Sequence, residues 1–326
     1  MEFHHFIGNE KLKEQLRYMM ATGHFPHAVL LEGETGIGKR TLAHDIALNL
    51  FCRGEGEKPC GHCAQCSKVE KGIHPDIYEY TAPDRVKAFH IDRVREVKRD
   101  AFMRPNEADW RIFILGNCQS MSAEAQNALL KILEEPPTYA LFLLTATNKS
   151  AMLETVLSRC VVLSLEGVPA AQGADYVCAQ MPSVSHEEAL HACEVWGGNL
   201  GKAMESLSDG RLSKVNQLAN GMAEALLSGS EYRLLKTCSE FRWDRELLAQ
   251  TLTLFKTVLR DALVYGSSEP LSGNAAMAEQ LAATYSRAKL MRMVEAMDRL
   301  QQLTLVNANM QLMMTRVCTE LMNARG

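Results

Sequence analysis

Residues 27–42 read HAVLLEGETGIGKRTL, and the class of fold can be inferred from them. The apolar run His27–Leu31 predicts a short buried strand, and Thr41–Phe51 predicts a helix. Between them, residues 33–39 match G-x-x-x-x-G-K, a pattern in which glycines let backbone amides face phosphate oxygens while the lysine neutralises their charge. The positive end of the following helix adds to this attraction. The stretch predicts a P-loop, with these candidate nucleotide-binding residues: Gly33, Gly36, Gly38, Lys39 and Thr41.

Residues that would hold a metal ion beside this loop are absent from the sequence. Lys39 is followed by Arg40, where a serine or threonine hydroxyl normally helps to bind Mg²⁺, and Thr41 stands one residue late. The strand predicted at Arg111–Leu115 runs into Gly116-Asn117, where a nucleotide hydrolase needs Asp for the metal and usually Glu to polarise water. We therefore expect no intrinsic ATPase activity. The loop either holds phosphate without metal or is a relic of the fold.

Strands and helices alternate through the first half of the chain. Apolar runs predict further strands at Ile77–Tyr80, Arg111–Leu115, Ala140–Thr145 and Val161–Leu163. Periodic segments predict helices at Ile91–Phe102 and Ala123–Leu133, and another that Asn9 caps, with Leu12, Leu16 and Met19 on its apolar face. This alternation predicts an α/β fold with a mainly parallel sheet and helices on both faces.

The second half of the chain reads as helical. Only two of the ten prolines follow residue 170, whereas ten of the 17 methionines follow residue 200. Two sets of apolar residues recur at steps of three and four, namely Leu248, Leu252, Phe255, Leu259 and Ala262, and Leu303, Val306, Met310, Met313, Val317 and Leu321. We interpret the methionines as core filler rather than as a cofactor site.

Composition excludes several classes of protein. The chain has 326 residues, 47% of them hydrophobic and 23% charged, which predicts two or three globular domains. Its apolar runs are too short to span a membrane, and residues 1–5 lack the features of a signal peptide, so we expect a cytoplasmic protein. A net charge of -4 argues against coating of nucleic acid by bulk charge.

Four of the ten cysteines cluster in the sequence. Cys52, Cys60, Cys63 and Cys66 form C-x7-C-x2-C-x2-C in a polar loop after the P-loop helix. Pairs two residues apart can aim both sulfurs at one centre, and four thiolates satisfy tetrahedral Zn²⁺ with no open position. The pattern therefore predicts a structural zinc site at these four residues.

Three alternatives to this zinc site remain. The thiols could be free or paired in a disulfide, an iron–sulfur cluster could bind although the usual Cys-Pro is missing, or His62 could replace one sulfur. The other cysteines lie among apolar neighbours and are interpreted as core residues: Cys118, Cys160, Cys178, Cys193, Cys238 and Cys318.

The most specific string is NALLKILEEPP at residues 127–137, and Leu157-Ser158-Arg159-Cys160 follows it. Together with the P-loop, the cysteine insertion and His74-Pro75-Asp76, it closely resembles the clamp-loader subunits of bacterial DNA polymerase III, which belong to the AAA+ class. The resemblance covers about the first 165 residues. It implies a RecA-like AAA+ α/β P-loop module with a zinc-binding insertion, followed by a small helical lid and an all-α C-terminal collar.

Within that family, the resemblance implies a subunit that does not hydrolyse ATP. A motor subunit of the gamma/tau type keeps a P-loop Ser/Thr, a strand-end Asp-Glu pair and a sensor arginine in the lid. Here those positions read Arg40, Gly116-Asn117 and Gly201. An active gamma/tau-type ATPase is the alternative. A second alternative is a zinc-dependent nucleic-acid-binding module. It is disfavoured because few aromatic and basic residues surround the cysteines.

The resemblance also implies a role for Arg159. In clamp loaders the arginine of Ser-Arg-Cys reaches across a subunit junction to the neighbour's ATP, as an arginine finger, and a guanidinium suits this because it is always charged and forks onto phosphate oxygens. Without the resemblance, Arg159 would be interpreted as a surface arginine in a turn that leads into a strand. The segment Arg85–Arg111 holds eight Lys/Arg and five Asp/Glu, which we interpret as a solvated helix face rather than a DNA-binding surface.

The implied domains are an AAA+ module at residues 1–165 with the zinc insertion at 52–66, a helical lid at 166–209 and a helical collar at 210–326. The implied partners are the gamma/tau motor and delta subunits in a hetero-pentamer. Sliding clamp and primed DNA are reached through that complex, and no membrane contact is expected. Zinc is the implied cofactor, and ATP binding by this chain is left open.

Overall fold

The computed structural model describes residues 1–23, 25–81, 91–208, 210–266, 272, 274–304 and 309–325. The chain forms two compact units. The first comprises Met1–Val168 together with Asn199–Gly201, and the second comprises Pro169–Gly198 and Lys202–Gly326. The finer division into domains at 1–165, 166–209 and 210–326 stays a prediction.

A five-stranded parallel sheet forms the centre of the first unit. Its strands are β1 (Ala28–Glu32), β2 (Ile77–Thr81), β3 (Arg111–Gly116), β4 (Ala140–Ala146) and β5 (Val161–Ser164). They lie in the order β2-β3-β4-β1-β5, and each neighbouring pair is parallel. Every strand predicted from the sequence is confirmed. The observed ends differ from the predicted ones by a single residue, which is the usual uncertainty of element boundaries.

Helices cover both faces of this sheet. They are α1 (Glu10–Ala21), α2 (Lys39–Phe51), α3 (Ala64–Glu70), α4 (Ile91–Ala101), α5 (Ala123–Glu134) and α6 (Glu154–Leu157). Apolar residues of α1, α2 and α3 pack with Leu31 and Leu143 on one face, and those of α4, α5 and α6 pack with Leu30 and Phe142 on the other. Both faces of the sheet are buried because side chains alternate along each strand and helices lie on either side.

Asn9 occupies the predicted position before the first helix, but its side chain does not cap the helix. Asn9 precedes α1, but its φ is 55° and its side chain makes no capping hydrogen bond. Instead its amide pairs with the backbone of Glu166: Nδ2 donates to the carbonyl oxygen at 2.9 Å, and Oδ1 accepts from the amide nitrogen at 2.8 Å. The side chain therefore ties the start of α1 to the segment after β5.

All elements that the structure describes after residue 168 are helices. They are α7 (Ala170–Gln180), α8 (His186–Val195), α9 (Leu200–Ser208), α10 (Arg211–Ser228), α11 (Glu231–Ser239), α12 (Arg245–Leu263), α13 (Ala275–Thr284), α14 (Arg287–Thr304) and α15 (Met310–Arg325). None of the described helices is long and apolar enough to cross a membrane.

The two predicted apolar sets differ in outcome. The set from Leu248 to Ala262 lies on α12 and is buried, as predicted. The set from Leu303 to Leu321 belongs to two helices, since α14 ends at Thr304 and α15 begins at Met310; Val306 lies outside the described residues. Met222, Met293 and Met297 are fully buried, as expected of core filler, whereas Met291 is 54% exposed.

Candidate functional site

The P-loop connects β1 to α2, as predicted. Gly36 and Gly38 have φ values of 88° and 100°, a region that favours glycine. Space is also short, because a Cβ at Gly33 would lie 3.1 Å from the carbonyl oxygen of Leu165 and a Cβ at Gly38 would lie 3.2 Å from the ring of Phe6. The fold itself therefore requires glycines here, whether or not a phosphate binds.

Lys39 turns back onto its own loop. Its Nζ donates hydrogen bonds to the carbonyl oxygen of Gly33 at 2.5 Å and to that of Glu34 at 2.7 Å. A cavity of about 300 Å³ lies beside the loop, and its lining includes Lys39, Thr41, Gly116, Asn117 and Thr145. Of the predicted nucleotide-binding residues, Gly36, Gly38, Lys39 and Thr41 line this cavity and Gly33 does not. The lysine that would neutralise a phosphate is bound to backbone carbonyls.

The two positions expected to bind Mg²⁺ carry other contacts. Arg40, 72% exposed, pairs with Glu79 at 2.6 Å, and His44 contacts the same carboxylate at 2.8 Å. The hydrogen bond from His44 is the largest contribution that lowers the pKa of Glu79. At the end of β3, a Cβ at Gly116 would lie 2.6 Å from Oγ1 of Thr81. Within the described part of the chain, which omits residues 82–90, no carboxylate lines the cavity.

Residues 199–201 lie against the P-loop. Asn199 Nδ2 donates to the carbonyl oxygen of Thr35 at 2.9 Å, and the amide of Gly201 donates to the carbonyl oxygen of Gly36 at 3.0 Å. A Cβ at Gly201 would lie 2.5 Å from that same oxygen. Position 201, which the resemblance equates with the sensor arginine of a motor subunit, therefore has no room for a side chain.

The four predicted zinc ligands are brought together. The Sγ atoms of Cys52, Cys60, Cys63 and Cys66 all lie within 4.8 Å of one another. Cys52 follows the last residue of α2, while Cys63 caps α3 and accepts a hydrogen bond from the amide of Cys66. A Cβ at Gly54 would lie 2.5 Å from Cys60 Sγ, so the loop can close around the sulfurs only with glycine there.

Backbone amides point at these sulfurs. The amide of Cys60 donates to Cys52 Sγ at 3.2 Å, and that of Cys63 donates to Cys60 Sγ at 3.4 Å. Burial opposes ionisation of Cys63, yet hydrogen bonds from the backbone N–H groups of Cys66 and Arg53 outweigh it and lower its pKa to about 6. Burial raises the pKa of Cys66 to about 12. A bound cation would lower this pKa again, because it stabilises the thiolate.

The donor set fits a single metal ion. At a Zn–S distance of about 2.3 Å, a tetrahedral ion holds its sulfurs roughly 3.8 Å apart, within the observed spread. A cluster of two or more irons would spread the four sulfurs more widely, since they would not all bind one ion. His62 is not part of this convergent group, and its Nδ1 lies 2.7 Å from the backbone oxygen of Cys60. The four cysteines could bind a metal ion such as zinc.

Of the other six cysteines, Cys118, Cys193, Cys238 and Cys318 are buried, and Cys160 and Cys178 are half-buried. The interpretation as core residues is confirmed for the four buried cysteines. Burial raises the pKa of Cys118 to about 12 and that of Cys160 to about 11, so both thiols are protonated at neutral pH.

His74 and Asp76 anchor the segment after the cysteine loop. The ring of His74 stacks on Phe51 at 4.2 Å between ring centres, and its Nε2 lies 2.7 Å from Gln65 Oε1. Asp76 is fully buried, and its carboxylate accepts hydrogen bonds from the backbone amides of residues 106, 107 and 108. The His-Pro-Asp string is therefore structural, a role that its spacing alone does not reveal.

Arg159 lies in the short turn between α6 and β5. Its Nη2 pairs with Glu134 Oε1 at 2.6 Å, and its Nη1 donates to the carbonyl oxygen of Thr155 at 2.7 Å and to Ser158 Oγ at 3.1 Å. The side chain of Arg159 is 34% exposed and that of Glu134 is 46% exposed. No local signal in the sequence links Glu134 to an arginine 25 residues further along the chain.

The parallel sheet, with the P-loop leading from the inner strand β1 into α2, defines a P-loop α/β protein. The family model for "DNA polymerase III, delta subunit" matches residues 8–169. The chain is 27% identical to DNA polymerase III subunit delta' of Haemophilus influenzae over 303 residues, which cover 90% of this chain and 91% of that one.

It is 29% identical to subunit delta' of Escherichia coli over 248 residues, covering 76% of this chain and 72% of that one. A gamma subunit, from Buchnera aphidicola of Acyrthosiphon pisum, is 32% identical over 165 residues, covering 50% of this chain and 45% of that one. This chain belongs to the clamp-loader family of bacterial DNA polymerase III. The two delta-prime relatives match along most of both chains, whereas this gamma subunit matches about half of each.

Proposed function

We propose that this chain is a delta-prime-type subunit that does not hydrolyse ATP and supplies Arg159 as an arginine finger to a neighbouring motor subunit. The observation that carries this proposal is a contrast between two sites. The P-loop cavity is lined, among the described residues, by no carboxylate, whereas Arg159 keeps a third of its side chain exposed at the surface of the first unit.

Three features make the P-loop of this chain unsuited to ATP hydrolysis. Lys39 is bound to the loop's own carbonyls, Arg40 stands where a metal-binding hydroxyl is needed, and the backbone of Gly201 is bonded to Gly36. Phosphoryl transfer depends almost entirely on positioned positive charge, including Mg²⁺. A P-loop with these contacts keeps its fold and lacks the parts that act on the γ-phosphate.

Arg159 can supply positive charge to phosphoryl transfer at a neighbouring subunit. A guanidinium can fork onto two phosphate oxygens, and it stays charged at any physiological pH. An arginine supplied in trans raises phosphoryl-transfer rates by about 10³-fold or more. In this role the chain regulates hydrolysis by its neighbour without performing it.

The remaining parts serve this scaffold. Zn²⁺ at the four cysteines stabilises the loop after α2 and, with all four positions filled by sulfur, takes no part in catalysis. Residues 166–209 form a lid and residues 210–326 form a collar that packs with gamma/tau and delta subunits in a hetero-pentamer. The complex acts in the cytoplasm and places the sliding clamp on primed DNA.

A reconstituted complex tests the finger. The chain is combined with motor and delta subunits, sliding clamp and primed DNA, and ATP turnover is measured with Arg159→Ala, Arg159→Lys and the control Arg93→Ala, which removes an exposed arginine of α4. Arg159→Ala should lower turnover, Arg159→Lys should restore it only in part, and the control should leave it unchanged. Equal turnover for all variants would remove the finger assignment.

An active gamma/tau-type ATPase is the second candidate, and the similarity to a gamma subunit over 165 residues favours considering it. The chain alone, with Mg²⁺ and ATP, separates the two functions. We expect no turnover. A magnesium-dependent rate that Lys39→Ala abolishes would establish the motor function instead.

A further inference from the structure

The guanidinium of Arg159 is already engaged within its own chain. Nη1 uses its two hydrogens on the carbonyl oxygen of Thr155 and the hydroxyl of Ser158, and Nη2 pairs with the carboxylate of Glu134. Thr155 and Ser158 belong to the turn that carries Arg159, so their contacts move with it. The contact with Glu134 comes from another element, the last turn of α5, and it is the contact between opposite charges.

Glu134 makes the contact that an incoming phosphate would need. A carboxylate oxygen and a phosphate oxygen bind a guanidinium in the same way, through short charge-assisted hydrogen bonds. Arg159 Nη2 and Glu134 Oε1 form an ion pair at 2.6 Å. An anion that approaches Arg159 therefore competes with Glu134 for the same guanidinium nitrogen.

The surroundings favour an exchange of partners at the side chains alone. An open cavity of about 520 Å³ is lined by His27, Leu133, Glu134, Ser158 and Arg159. The backbone next to Glu134 is held in place, since Leu133 is buried and its carbonyl oxygen lies 3.0 Å from Nε2 of His27. A phosphate group can reach Arg159 through this cavity while only the Glu134 side chain swings away.

We infer that Glu134 is a positioning residue: it holds Arg159 at rest and competes with the phosphate of the neighbour's nucleotide. The source of that phosphate rests on the proposed function, whereas the ion pair does not. Both side chains are partly exposed, so the pair should shift the availability of Arg159 by up to about fivefold, the range measured for exposed ion pairs.

The isolated chain tests the ion pair without any partner. Phenylglyoxal modifies accessible guanidinium groups, and mass spectrometry of the digested protein gives the rate at each arginine. Glu134→Gln should raise the modification rate of Arg159 by up to about fivefold and leave that of Arg93 unchanged. The matched control Glu135→Gln removes the adjacent charge and should leave the Arg159 rate as it is. An unchanged Arg159 rate in Glu134→Gln would overturn the inference.

The reconstituted complex tests the competition. Glu134→Gln should raise kcat/KM for ATP by up to about fivefold, and it should have no effect when Arg159 is already Ala. A lower kcat/KM in Glu134→Gln, or the same effect with and without Arg159, would mean a merely structural role and would overturn the inference. If Arg159→Ala itself has no effect on turnover, the finger assignment fails, and the phenylglyoxal rates still decide whether Glu134 holds Arg159.

Discussion

The amide nitrogen of Gly201 donates a 3.0 Å hydrogen bond to the carbonyl oxygen of Gly36, in the middle of the P-loop. The two residues are 165 positions apart in the sequence, and the approach is so close that a Cβ at position 201 would lie 2.5 Å from the same oxygen. The backbone of the P-loop is thus stabilised from within the protein, by a contact that excludes a side chain at position 201.

This contact predicts that Gly201→Ala destabilises the protein. Because the added methyl group meets backbone rather than a flexible side chain, the free energy of unfolding should fall by about 1–3 kcal/mol. Urea unfolding measures the change. In the control Gly221→Ala, the new Cβ would lie 3.2 Å from the Thr237 side chain, which can move, so a much smaller change is expected. Equal stability of Gly201→Ala and the parent would contradict the observed approach.

Asp76 should make stability depend on pH in acid. Burial by itself raises the pKa of Asp76, but hydrogen bonds from the backbone amides of Asn106, Glu107 and Ala108 outweigh it and hold the pKa below its usual value. The carboxylate therefore stabilises the fold fully above the unfolded-state pKa, about 3.9, and this contribution is lost as the pH falls from there through the lower folded-state pKa.

The variant Asp76→Asn tests this dependence. An amide NH₂ would face N–H donors, so we expect a loss of about 2 kcal/mol at neutral pH and a weaker pH dependence below about pH 4. Urea unfolding between pH 3 and pH 7 checks both effects. Asp92→Asn, at an exposed position of α4, should leave the neutral-pH stability and the acid dependence close to those of the parent.

Removal of one cysteine from the cluster should remove the metal. The parent chain should bind about one zinc ion, and Cys52→Ala should lose it. The free energy of unfolding should then fall by at least about 3 kcal/mol, because no metal ion links residues 52–66. Elemental analysis and thermal unfolding with and without a chelator give the two quantities. Cys178→Ala, outside the cluster, should keep its zinc. Iron in the parent protein would refute the zinc assignment.

Tyr285 should hold three helices of the second unit together. Its hydroxyl donates to the carbonyl oxygen of Leu226 in α10 at 2.6 Å and accepts from Nε of Arg325 in α15 at 3.1 Å. Tyr285→Phe removes both bonds and should lower the free energy of unfolding by about 1–2 kcal/mol. Tyr232→Phe is the control, because that side chain is 76% exposed and should change nothing measurable. A neutral Tyr285→Phe would show that the bonds do not contribute.

The parts of the site that follow one another in the chain could be predicted from sequence. The apolar runs at β1 to β5 predicted the sheet, and the spacing of the four cysteines predicted that their sulfurs converge. Both predictions succeeded because each signal lies within one short stretch of sequence. The departures from an active ATPase were also visible, since each lies at a fixed place relative to a strand or loop.

Contacts between distant segments could not be predicted. Nothing in the sequence around Arg40 names Glu79 as its partner, and nothing around Arg159 names Glu134, because exposed ion pairs leave no periodic pattern. The backbone approach of Gly201 to the P-loop is hidden for the same reason, as one glycine in a helix gives no sign of what lies next to it. These contacts depend on tertiary packing, which single-sequence propensities do not report.

The steric need for Gly33 and Gly38 has a consequence for how proteins are classified. The positive φ values of these two residues and the close approach of Leu165 and Phe6 disfavour a side chain at either position, so packing by itself favours the glycines of the P-loop. If this chain does not hydrolyse ATP, as we propose, a search that recognises ATPases by those glycines would return it as a false positive. The positions that distinguish it are Arg40, directly after the loop, and Asn117, directly after β3.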